Sequence, residues 1–213
     1  MSFKNKLCEV GEVKETIYVV PGVPAMKNLM ERFLKKLEKK FDVKWYHDGQ
    51  GQAEEIIDKI IIYSAGSYKL MGLATSKKVI KKVILISPAG IQLNNPMMHN
   101  IKFMKEIILL DCRMALKIIG QLLAEFFHSP KDFRSNLRQI LTTKVVEAVK
   151  AMKDKGTEFF FVSGESEGLF DSEFCAREIG VKPIRLRGNH FGVVIYPDDY
   201  AKAVESVLLT NKG

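Results

Sequence analysis

Cysteine is scarce in this chain: Cys8, Cys112 and Cys175 are the only three in 213 residues, odd in number and far apart. None sits in a C-x-x-C pair or beside a histidine at zinc-ligand spacing, which excludes a disulfide framework and a short structural zinc motif. A reducing cytoplasm is the expected setting. The four histidines, His47, His99, His128 and His190, stand too far apart for a short metal motif, so neither a metal nor another cofactor is expected. No run approaches the roughly 18 apolar residues that cross a bilayer, and Met1 to Gly22 lacks the apolar stretch followed by small residues of a secretory signal. A soluble chain with no membrane span is expected. Internal repeats, low-complexity tracts and Gly/Ser-rich linkers are missing too, which favours one folding unit.

What is present is an ordinary globular composition, 46% hydrophobic and 27% charged, with a net charge of +8. The excess of Lys and Arg is interleaved with acids, and the aromatic–basic alternation of single-strand binders is absent. A solvated basic surface is therefore expected, without a nucleic-acid partner. Lys35, Lys36, Glu38 and Lys39, for instance, fall on the wet side of a helix from Lys27 to Lys40 whose apolar positions are Leu29, Met30, Phe33, Leu34 and Leu37.

Strands are expected over 17–20, 41–46, 59–63, 82–87, 158–164 and 183–186, and the run Lys59-Ile60-Ile61-Ile62-Tyr63 in particular lacks polar alternation. Single helices are expected between most of them, including a short one over Ala53–Asp58, one after Ser64, one over Ser172–Ile179 and a closing one over Asp199–Leu209. Between residues 94 and 151 the pattern is helical only. This order predicts an α/β fold, a three-layer sandwich with a mostly parallel sheet, residues 1–93 and 152–213 forming the core and 94–151 a helical lid or cap. Met97, Met98, Met104, Phe126 and Phe127 of that insertion are candidates for an apolar pocket or for plain core packing, whereas His99 and His128 are expected to pack or face water.

In open α/β sheets ligands bind beyond the carboxyl ends of the strands. Those positions hold Pro21-Gly22-Val23, Ser64-Ala65-Gly66, Gly164 to Glu167, and Gly188-Asn189-His190-Phe191. A serine, an acid and a histidine thus follow three strands in that chain order. From about Ile17 to Leu209 the sequence resembles the α/β-hydrolase family. Ile17 to Gly22 is similar to the family's apolar strand ending in His-Gly. Ile62-Tyr63-Ser64-Ala65-Gly66-Ser67 is similar to its Gly-His-Ser-x-Gly-Gly turn, and Ile84 to Gly90 to the strand that follows. Phe161 to Glu167 resembles the strand ending in Gly-x-x-Asp, and Gly188 to Phe191 the Gly-x-His segment.

The resemblance implies a serine hydrolase that cleaves a small-molecule ester or thioester through an acyl-enzyme. Ser64 would be the nucleophile, His190 the general base and Glu167 the group orienting the imidazole, with the amides of Val23 and Ala65 as oxyanion hole. A serine hydroxyl needs such a base because it is a poor nucleophile while it keeps its proton. Three positions depart from the family: Ile62 where a small residue is usual, Pro21 for histidine and Glu167 for aspartate, with Asp171 and Glu165 as competing acids. Ile62 keeps open a noncatalytic α/β-hydrolase-like binding protein in which a widened turn misplaces Ser64. Ser166 satisfies G-x-S-x-G literally, but two flanking carboxylates oppose an alkoxide there, and too little chain follows for the remaining elements.

Overall fold

Strands made of unbroken apolar residues need cover on both faces, and the computed structural model shows how the chain supplies it. The structure describes residues 13–22, 26–46, 56–89, 96–108, 110, 112–131, 144–169 and 172–210. Six strands form one sheet: β1 (Glu15–Val20), β2 (Phe41–Trp45), β3 (Ile56–Tyr63), β4 (Val79–Ile86), β5 (Glu158–Gly164) and β6 (Pro183–Leu186). They lie in the order β2-β1-β3-β4-β5-β6 and all neighbours are parallel. The chain moves outward from β1 to β2, then returns to place β3 on the other side of β1. The carboxyl ends of β1 and β3 therefore flank the point where strand order reverses, the place where a crevice opens in such sheets.

The helices are α1 (Met26–Leu29), α2 (Glu31–Leu37), α3 (Leu70–Thr75), α4 (Pro96–Ile108), α5 (Cys112–His128), α6 (Val145–Asp154), α7 (Ser172–Ile179), α8 (Gly192–Ile195) and α9 (Pro197–Leu209). Alternate residues of a strand point to opposite faces. Ile61, Tyr63, Ile84, Ile86 and Val162 join Phe33, Leu37, Tyr200 and Val204 of α2 and α9 in one buried cluster. Ile60, Ile62, Val83, Leu85 and Phe161 join Leu73, Val149 and Cys175 of α3, α6 and α7 in the other. Both clusters are needed to keep a strand such as Ile60-Ile61-Ile62-Tyr63, fully buried at all four positions, out of water. At about 2 kcal/mol for each fully buried large apolar side chain, that cover is what makes the unbroken apolar pattern stable.

Three expectations are corrected. The short helix over Ala53–Asp58 is not formed: residues 56–58 already belong to β3, where Ile56 and Ile57 pair with Val79 and Ile80, while 53–55 lie outside the described residues. The helix expected from Lys27 to Lys40 is two pieces, α1 and α2. Ser64–Lys69 is a 3-10 helix, and α-helical geometry begins only at Leu70. Between β4 and β5 the described elements are all helices. α4 and α5 anchor to the core cluster through Ile107 and Ile118. α6 runs through residue 151 without a break and buries Val145, Ala148, Val149 and Met152 against the sheet.

Candidate active site

Ser64 occupies the first position after β3 with φ of 50°, a left-handed conformation that costs a non-glycine residue about 1–2 kcal/mol. The surroundings hold it there. The Ala89 amide donates to the Ser64 carbonyl at 3.0 Å, and the Ser67 hydroxyl donates to the Ala89 carbonyl at 2.5 Å. β1 crowds the same turn. A Cβ on Gly66 would lie 2.6 Å from the Pro21 carbonyl oxygen, and one on Gly22 would lie 3.0 Å from Ser64 Cβ and 3.4 Å from the Ala65 nitrogen. Glycine at these two positions is what allows the β1 loop and the serine turn to meet. Ile62, two residues earlier, is fully buried on the α3 side of the sheet, in the cluster that also holds Ala65, Leu70 and Leu73.

The acid and the histidine arrive from β5 and β6. Gly164 ends β5 with its Cα against the next loop, because a Cβ there would sit 2.7 Å from the Asn189 carbonyl oxygen. The Glu165 amide donates to Leu186 O at 2.7 Å and the Ser166 amide to Gly188 O at 2.9 Å, so the two loops are stitched together by backbone. Gly188, at φ of 107°, turns the chain, and Asn189 Oδ1 accepts from the Phe191 amide at 3.0 Å. His190 is thereby buried, 2% exposed, with its ring stacked on Tyr63 at 5.8 Å and edge-on to Phe191 at 5.4 Å. The Tyr63 hydroxyl donates to the His190 carbonyl at 3.0 Å, which fixes the histidine backbone from the residue next to Ser64.

Three side chains expected at separate strand ends meet here. Ser64 Oγ lies 2.8 Å from His190 Nε2, and Glu167 Oε2 lies 3.3 Å from His190 Nδ1, with both the glutamate and the histidine side chains 2% exposed. The other Glu167 oxygen accepts from the Leu169 amide at 3.1 Å. Burial pushes the Glu167 carboxyl up, but the His190 ring, the adjacent Ser87 hydroxyl and the Leu169 amide outweigh it and hold the group below its ordinary value. Of the competing acids, Glu165 is exposed and Asp171 lies outside the described residues, as does Val23. Ser166 is exposed on the turn after β5. The 3-10 geometry of residues 64–69 leaves no long helix dipole aimed at Ser64.

Two groups beside Glu167 escaped sequence reasoning. Ser87 ends β4 at φ of 43°, and its buried hydroxyl approaches Glu167 without completing a hydrogen bond to any group. Glu106 reaches in from α4: it is 4% exposed, and its Oε1 accepts from the Gly168 amide at 2.7 Å. Burial and the neighbouring Glu167 charge raise the Glu106 carboxyl above its ordinary value, against the opposing pull of the Gly168 and His190 amides. The only available signal was a lone carboxylate on the apolar side of a helix beside Ile107. Met104 and Phe127, candidate pocket residues, are exposed at 47% and 75%, so neither fills core. Phe126 is half-buried against Phe127, and the side chains of Met97, Met98 and His99 lie outside the described residues. His128 faces water as expected.

Elsewhere, two clefts of about 320 Å³ lie by the starts of strands, one lined by Lys78, Val79 and Thr157, the other by Glu15, Lys59 and Glu158. Both are at the end of the sheet opposite Ser64. Among the described residues no group of three or more metal-ligating side chains occurs, and no helix is long and apolar enough to cross a membrane.

No protein-family model matches the chain. No curated protein matches its sequence either. Solved structures do match its architecture. The carboxylesterase CesB from Bacillus subtilis superposes with a TM-score of 0.62 at 10% identity, covering 93% of this chain and 85% of the other. The meta-cleavage product hydrolase from Pseudomonas fluorescens IP01 gives 0.61 at 15% identity, covering 92% and 91%. The enol-lactonase from Burkholderia xenovorans LB400 gives 0.56 at 14%, covering 95% and 94%. At such identities the likeness is one of fold, and the chain has the α/β-hydrolase fold.

Proposed function

We propose that this protein is a serine hydrolase that cleaves a carboxylic ester or thioester of a small molecule. The observation that carries the reading is the 2.8 Å approach of Ser64 Oγ to His190 Nε2, with the serine held in a left-handed turn at the sheet's reversal point. In the proposed reaction Ser64 Oγ attacks the acyl carbon while His190 Nε2 takes its proton. The bond to the alcohol or thiol then breaks, and the imidazolium returns the proton to that leaving group. Water attacks the resulting acyl-serine, again giving its proton to His190, and the acid departs with Ser64 restored.

Glu167 would hold the proton-bearing Nδ1 toward itself and stabilise the imidazolium; its lowered pKa keeps it ionised for that task. The Ala65 amide would bind the developing oxyanion, with the Val23 amide as the second donor inferred from sequence. One such donor is typically worth about 3 kcal/mol of transition-state stabilisation. α4 and α5 would serve as the lid that shapes the acyl site and excludes water, in keeping with Glu106 of α4 touching the acid loop. The chemistry calls for no cofactor or metal. The free thiols of Cys112 and Cys175 suit a reducing cytoplasm. The alternative, a noncatalytic α/β-hydrolase-like binding protein, has less support, because Ser64 Oγ stands 2.8 Å from His190 Nε2 with Ile62 buried in the core.

A fluorophosphonate probe should modify Ser64 and leave Ser64→Ala unmodified; a folded wild-type protein that never labels would refute the proposal. p-Nitrophenyl esters of graded chain length should then show a preferred acyl length.

A further inference from the structure

A buried carboxylate on the helical insertion needs a reason. Glu106 stands on α4, 62 residues from its partner Gly168, and its second oxygen, Oε2, is buried and completes no hydrogen bond, although the His190 amide is near enough to act on the carboxyl. Leaving such an atom unpaired is costly, so a helix that merely covered a core would be better served by a methionine or leucine there. What the carboxylate gains is its other oxygen, 2.7 Å from the Gly168 amide. Gly168 directly follows Glu167, whose own Oε1 reaches over to the Leu169 amide at 3.1 Å. The acid loop is thus held on both sides of the acid: by backbone bonds to the His190 loop at Glu165 and Ser166, and by a side chain from the insertion at Gly168. Gly168 is itself part of the fit. A Cβ at that position would sit 2.6 Å from Glu106 Oε1, inside contact distance, so any larger residue must displace the carboxylate.

We infer that Glu106 is a positioning residue that clamps the acid loop to α4, setting Glu167 against His190 only while the insertion is seated. The clamp is the accepted hydrogen bond; the charge is dispensable. The inference rests on Ser64 being the nucleophile, because its effect is read through that serine's reactivity.

The test is the rate of fluorophosphonate labelling in the full chain, alongside circular dichroism to confirm folding. Glu106→Ala should label at least about tenfold more slowly than wild type, a loss of the size seen when a supporting hydrogen bond to a catalytic group is removed. Glu106→Gln, which keeps an acceptor oxygen at the same reach, should recover the rate to within about threefold. Gly168→Ala should reproduce the Glu106→Ala defect by pushing the carboxylate away, and the double variant should be no slower than the slower single by more than about twofold. A merely structural role would not produce rescue by glutamine together with this non-additivity. Wild-type speed in Glu106→Ala, a glutamine variant as slow as alanine, or defects that multiply in the double variant would each overturn the inference. Should Glu106→Ala fail to fold, Glu106→Met, which fills the space without a carboxylate acceptor, takes its place and should label at least about tenfold more slowly than wild type. If wild type itself never labels, the hydrolase proposal falls first; if wild type labels and the variants are indifferent, only the clamp falls.

Discussion

The two glutamates beside His190 show how environment separates identical side chains. Glu167 faces a ring nitrogen, a hydroxyl and an amide, and despite its burial is held below the ordinary carboxylate value. Glu106, buried beside that charge, is pushed above it. A pair divided this way lets one carboxyl stay ionised as the other retains its proton more readily. Glu167→Gln should cut the labelling rate by about a hundredfold or more, since an amide cannot stabilise the imidazolium and favours the wrong tautomer. Labelling kinetics on the folded variant check this, and a loss below about fivefold would move the acid's role elsewhere.

At the scale of elements, the serine turn depends on how closely β1 and β3 approach at their carboxyl ends. Gly66 is the pinch point, facing the Pro21 carbonyl oxygen at 2.6 Å from where a Cβ would stand. Backbone cannot step aside as a side chain does. Gly66→Ala should lower stability by about 1–3 kcal/mol as overpacking does, and should slow labelling of Ser64 even in protein that remains folded. Denaturant titration and labelling of one preparation separate the two effects. Ile62 offers the contrast: a bulky residue two places before the serine is expected to widen the turn, and here it is fully buried in the same cluster as Ala65, Leu70 and Leu73.

At the scale of the whole molecule, the two carboxyls bias folding in opposite directions with pH. Glu167, lowered in the folded state, contributes stability above the ordinary carboxylate range that is lost as pH falls through its folded value. Glu106, raised in the folded state, favours the fold below the ordinary carboxylate value, and that contribution is lost as pH rises through its folded value. Glu106→Gln should therefore have a higher Tm than wild type at pH 8, with the gap closing toward about pH 3, where the acid is protonated folded or unfolded. Calorimetry across that range checks the sign; a gap that widens toward acid would contradict the burial argument. The sequence by itself determined the six strands, a mostly parallel sheet and the three strand ends where Ser64, Glu167 and His190 stand, because apolar runs and the turns that stop them are local signals. It misjudged residues 56–58, where Ile56 and Ile57 become strand only by pairing with β4, and the turn after Ser64, whose 3-10 shape is imposed by contact with β1 and Ala89. Only tertiary structure decided that Glu167 and not Glu165 meets the imidazole, and that a glutamate from α4 arrives beside it. Both depend on distances between segments dozens of residues apart, which are set by how helices pack over the sheet and leave no periodic trace along the chain.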